Sequence, residues 1–110
     1  MHIREMAGVV DAEIIQGVFE DAELAGGYTS DLLSDVMAHA KTGEALITIQ
    51  AHKNTVAVAS LIGAPAIVVC NGRPVPEDMI EAARDEGIAI VRTDLSQYEA
   101  SGRLWKALRG

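Results

Sequence analysis

Ala66-Ile67-Val68-Val69-Cys70 is apolar without interruption, the pattern of a strand at the centre of a parallel sheet, covered on both faces. Around it the chain alternates. Upstream, Ala45 to Gln50 reads as a strand, and Asn54 is placed to cap a helix through Ile62 that Gly63 terminates. Downstream, Pro76 suits a first helical position, Glu77 and Asp78 suit the positive end of the helix dipole, and the helix runs to about Glu86 before Gly87. Ile88 to Arg92 is the next strand, and Asp94 with Gln97 three residues on forms a capping-box pattern for a last helix to about Leu108. This order predicts right-handed parallel crossovers and an α/β fold, a three-layer sandwich with a mainly parallel sheet.

The N-terminal third is less regular. His2 to Ala7 reads as one helical turn broken by Gly8, Val9 to Ile15 as a strand, Gly17 to Ala22 as a loop, and Glu23 to Ala25 as a short strand. From Ser30 to Lys41 a helix is predicted, with Leu32, Leu33, Val36, Met37 and Ala40 on one face and Gly43 ending it. The helix Thr55 to Ile62 is apolar almost all round, which predicts a homodimer that covers its free side.

A chain of 110 residues fits one domain with one core. Its 9 basic and 16 acidic residues give a net charge of −7, which argues against nucleic-acid binding, because that requires clustered Lys and Arg. Residues 56 to 110 hold six of the bases, so a small-anion site is easier to place with help from that half. The single cysteine, Cys70, permits no intrachain disulfide and fits a reducing compartment, where a packed, inert thiol is expected. The start MHIREM lacks an apolar signal core, and no apolar run reaches the ~18 residues needed to span a bilayer. These features read as a cytoplasmic protein without membrane contact.

Gly26-Gly27-Tyr28-Thr29-Ser30-Asp31-Leu32-Leu33-Ser34-Asp35-Val36-Met37-Ala38, followed by Thr48-Ile49-Gln50-Ala51-His52-Lys53-Asn54-Thr55-Val56-Ala57-Val58-Ala59, resembles a stand-alone DRTGG domain. The resemblance extends over most of the chain, including Asn71-Gly72 and Glu86-Gly87-Ile88. It implies a fold similar to the N-terminal domain of HPr kinase/phosphorylase and a regulatory module of the kind found beside CBS domains in regulated pyrophosphatases. The Asp-Arg-Thr-Gly-Gly signature is partial: Asp21 lies near it, no arginine occurs in Ala22 to Ala25, Ala25 stands where a threonine is expected, and Gly26-Gly27 is intact. Kinase activity in that family resides in a separate domain with a phosphate loop, and no G-x-x-x-x-G-K-[ST] occurs here, so no kinase activity is expected.

Ligands of open α/β sheets sit beyond the carboxyl ends of parallel strands, where helix N-termini point free N–H groups. That rule selects the loops Gln50 to Asn54, Asn71 to Pro74 and Thr93 to Asp94, with Gly26 to Asp31 if its strand feeds the same edge. Gly26 and Gly27 read either as an anion cradle or as a tight turn, with Thr29 or Ser30 capping the next helix beside Asp31. His52 could bond a phosphate or carboxylate while Asn54 caps. Arg73, in Asn71-Gly72-Arg73-Pro74, is the best single anion-binding candidate, since a guanidinium grips two oxygens at once. His39 and Asp35 read as a solvent-facing i, i+4 pair, and no metal or cofactor is expected. Ser30, Asp31 and His52 have the residue types of a hydrolytic set without its diagnostic context, so a non-catalytic, ligand-sensing module is the leading expectation. The alternative is a protein-interaction module without a ligand.

Overall fold

The computed structural model describes all of residues 1–110. Ten elements follow in order: α1 (Ile3–Val9), β1 (Ala12–Gln16), β2 (Gly26–Thr29), α2 (Leu33–His39), β3 (Glu44–Thr48), α3 (Lys53–Ile62), β4 (Ala66–Val69), α4 (Glu77–Glu86), β5 (Ala89–Thr93) and α5 (Gln97–Arg109). One five-stranded sheet has the order β1-β5-β4-β3-β2. Strands β2 to β5 are mutually parallel, and β1 joins β5 antiparallel at the far edge. The sheet is the mainly parallel centre of the expected sandwich.

Each parallel strand is laid beside the previous one, so right-handed crossovers put α2, α3 and α4 on a single face. Strand alternation divides the core accordingly. Leu46, Ile67, Val69 and Ile90 pack with Val36, Val56, Ala59 and Met79 of those three helices. Ala45, Ile47, Ala66, Val68, Ala89 and Val91 point the other way, against Met6 of α1 and Ala100 and Leu104 of α5. The alanines on this second face keep it shallow enough for the two remaining helices to sit close.

The second half is as the sequence predicts to within a residue or two, but its caps differ. His52, rather than Asn54, caps α3, its Nδ1 accepting the Asn54 N–H at 3.0 Å. Ser96, rather than Asp94, caps α5 through the Glu99 N–H at 3.2 Å, and Pro76 stands at the N-cap of α4 itself. Gly63 and Gly87 end their helices in the left-handed conformation.

The first third departs further. Gly8 lies inside α1, and the left-handed turn falls on Asp11 (φ 52°), so the strand begins at Ala12 rather than Val9. Glu23 makes only an isolated bridge to His2, and the strand forms over Gly26–Thr29 instead. Gly26 and Gly27 are therefore strand residues and not a turn, and neither has a positive φ. Helix α2 is shorter than predicted at both ends. Ser30 Oγ accepts the Leu32 N–H at 3.1 Å, Asp31 is drawn into the sheet edge, and the chain beyond Ala40 is turned by Gly43 (φ 90°).

Helix α3 does not need a partner on every side. Thr55, Val56 and Ala59 are buried, Val58 and Ile62 pack partly against the core with α2 and α4 alongside, and Leu61 is the one large apolar side chain of α3 left bare.

Candidate functional site

Four parallel strands deliver their carboxyl ends to one rim, and Asp31 knits that rim together. Its Oδ1 accepts from Thr48 Oγ1 (2.8 Å), the Ile49 N–H (2.8 Å) and Gln97 Nε2 (3.0 Å). The end of β2, the end of β3 and the start of α5 are thus joined through one carboxylate oxygen. Thr48 is itself fully buried, so its hydroxyl needs this acceptor.

Beside it, β4 ends in a tight turn. Asn71 (φ 60°) and Gly72 (φ 59°) are both left-handed, and the Arg73 N–H reaches back to the Cys70 carbonyl at 3.4 Å. A Cβ on Gly72 would lie 2.6 Å from Asp94 Oδ1, so a side chain there would push the Asp94 carboxylate aside as well as strain a left-handed backbone. The Asn71 and Gly72 N–H groups donate to the Leu95 and Thr93 carbonyls at 2.9 and 2.8 Å, which leaves neither for an anion. Arg73 is exposed and pairs with no carboxylate, and the same is true of Lys53 in the first turn of α3.

The sequence-selected residues separate into two groups. Ser30, Asp31, His52, Asn54, Asn71 and Arg73 lie on or beside the rim. Gly26 and Gly27 do not: with Thr29, which ends β2 beside the rim, they line a groove of about 820 Å³ between β2 and α5 that reaches the rim at Gln97. There Thr29 Oγ1 meets Ser101 Oγ at 2.7 Å, and the missing side chain of Gly27 lets Leu104 come close, 3.1 Å from where a Cβ would stand. Tyr98 and Trp105 border this groove, with the Arg109 guanidinium stacked on the Trp105 ring at 4.6 Å. The sequence reading missed Gln97, Thr48 and this aromatic stripe. Only the spacing of Tyr98, Ser101, Trp105 and Leu108 along one helical face could have announced it.

Ser30, Asp31 and His52 form no nucleophile-base-orienter chain. Ser30 Oγ holds the Leu32 N–H, Asp31 holds the rim, and His52 Nδ1 holds Asn54. A separate polar cluster lies under β2, where Tyr28 Oη donates to Asp35 Oδ2 at 2.8 Å and His39 Nδ1 stands 3.1 Å from Asp35 Oδ1. The Tyr28 hydroxyl, with help from Ser30 and His39, holds the Asp35 carboxyl below its ordinary range, and the same bond holds the Tyr28 phenol above its own. Cys70 is buried at the end of β4, and burial together with the nearby Asp31 charge pushes its thiol up to about 11. No group of three His, Cys, Asp or Glu residues is arranged to hold a metal ion, and no helix is long and apolar enough to cross a membrane.

The architecture has solved counterparts. The CBS and DRTGG domains of the regulatory region of Clostridium perfringens pyrophosphatase, determined with the activator diadenosine tetraphosphate, match 93% of this chain with a TM-score of 0.71 and 16% identity. At that identity the likeness speaks for the fold, and this chain spans 44% of the matched one. HPr kinase/phosphorylase of Streptococcus uberis is 42% identical over 40 residues, which are 36% of this chain and 13% of that protein. The sequence profile of the family described as HPr Serine kinase N terminus matches residues 46–108, from β3 to the last turn of α5. With more than half of its length matched in this way, the chain belongs to the HPr Serine kinase N-terminus family.

Proposed function

We propose that this chain is a non-catalytic regulatory module of the cytoplasm that senses a small anionic ligand, nucleotide-like or phosphate-like, at the carboxyl rim of its parallel strands. The observation that carries the reading is Arg73, exposed and in no ion pair, in the loop after β4 at the rim where α3 and α5 also begin, while the rim carboxylate of Asp31 is already bonded to three donors. A guanidinium without a protein partner beside helix N-termini favours an oxyanion. The fold shared with a regulatory region that was solved with a dinucleotide activator supports a nucleotide over a carboxylate. The separate engagements of Ser30, Asp31 and His52 support binding without turnover.

Thermal-shift and calorimetric titration with ADP, diadenosine tetraphosphate and inorganic phosphate tests this. Saturable stabilisation by at least one, weakened tenfold or more by Arg73→Ala, is the expected result. No response to any of the three removes the ligand from the proposal.

A further inference from the structure

The outer edge of β2 is open. Gly26–Thr29 pairs in regular register with β3 on one side only, carries no charge, proline or bulge, and presents two glycines. Such an edge is a template for another strand unless something blocks it. On one face of the sheet it is bordered by Tyr98 and Trp105, which are 91% and 65% exposed. On the other, α2 carries exposed Leu32 and Met37, and the Tyr28 to Asp35 bond places that helix beneath β2. The groove of about 820 Å³ lies between β2 and the aromatic side of α5.

We propose that two copies of this chain pair antiparallel along β2 about a two-fold axis, each setting its Tyr98 and Trp105 into the groove above the other's Gly26 and Gly27. Bulky rings and a glycine-floored hollow occupy the same patch, and a two-fold axis requires such self-complementarity. The spacing also fits. Leu104 comes close to Gly27 and shares a core cluster with Ile47, and α5 packs on β2 and β3. With strands about 4.8 Å apart, pairing at β2 brings the two α5 axes to roughly 10 Å, the packing distance of helices.

Charge selects a second copy over other occupants. The chain carries a net charge of −7, but α5 has Glu99 in its first turn and Lys106 and Arg109 in its last. Side by side in opposite directions, two α5 helices set the basic turn of each against the acidic turn of the other and oppose their dipoles. This interface is distinct from the α3 face and independent of any ligand on the rim.

Sedimentation velocity on the whole chain, from about 1 to about 100 µM, decides the matter. The expected species has twice the 11.7 kDa mass at the upper concentrations, with Trp105 fluorescence shifting to the red on dilution. Tyr98→Ala with Trp105→Ala raises the dissociation constant tenfold or more, while circular dichroism and melting temperature for the monomer stay unchanged because both side chains are exposed. Leu61→Lys on α3 leaves the dimer intact. A monomer throughout the range, including one that instead captures another protein at β2, overturns the proposal. So does a dimer indifferent to the double substitution, or one that Leu61→Lys abolishes.

Discussion

Gln97 Nε2 donates to Asp31 Oδ1 at 3.0 Å, tying the first residue of α5 to the loop after β2. The same oxygen takes the Thr48 hydroxyl and the Ile49 N–H, so removal of the carboxylate strands a buried hydroxyl and a backbone donor together. Asp31→Ala is therefore expected to cost about 2–3 kcal/mol in urea unfolding, and Gln97→Ala about 1 kcal/mol. Equal costs for the two substitutions would show that the carboxylate serves α5 alone.

Cys70, with its thiol pushed up to about 11, holds roughly a hundredfold less thiolate at neutral pH than an ordinary cysteine. Burial blocks access as well. Labelling by a disulfide reagent should proceed only as fast as the protein opens globally, and its rate should rise with urea in parallel with unfolding. Rapid stoichiometric labelling of the native chain contradicts this.

The Tyr28 and Asp35 pair makes stability depend on pH at both extremes. The Asp35 pKa is lowered from 3.8, so its contribution is complete above that value and is lost as pH falls through the folded pKa. The Tyr28 pKa is raised from 10.0, so its contribution is complete below that value and is lost as pH rises through the folded pKa. Tyr28→Phe should flatten both limbs and move the Asp35 carboxyl titration upward by NMR. An unchanged Asp35 titration would assign the shift to Ser30 and His39 instead.

Two glycine substitutions should act in opposite directions. Gly63 caps α3 at φ 76°, and a Cβ there would lie 2.9 Å from Thr42 Cγ2, so Gly63→Ala should destabilise by on the order of 2 kcal/mol. Gly8 stands inside α1 with open space around it, so Gly8→Ala should stabilise by about 0.5–1 kcal/mol. Paired thermal melts check both signs.

The central sheet was legible because β4 is apolar throughout and because Gly63 and Gly87 mark where α3 and α4 stop. Strand β2 was not, since its two leading glycines are depleted in strands and outweigh the preference of Tyr28 and Thr29 for them. It becomes a strand through pairing with β3 and the approach of Leu104, information held far along the chain. The candidate residues were selected as the loops beyond the strand carboxyl ends, and Asp31, His52 and Arg73 stand in those loops. What they bond could not be read, because the partners of Asp31 lie 17, 18 and 66 residues away. Gly26 and Gly27 read as an anion cradle or a tight turn, and not as a strand, for the same reason: a glycine pair looks alike whether it bends a chain or makes room for a neighbour.

The two margins of the sheet are not equivalent. At the far one, β1 shifts register between Ile14 and Gln16, and Glu13 reaches across to Arg92 at 3.0 Å, while the Gln16 amide turns inward to the Ile88 and Val18 carbonyls. An irregular, charged margin offers poor purchase for a further strand. A sheet with two receptive margins would grow into a fibre. If copies pair along β2 as proposed, that margin is consumed when one copy meets another, and the irregular β1 margin gives the assembly a built-in stop short of a filament.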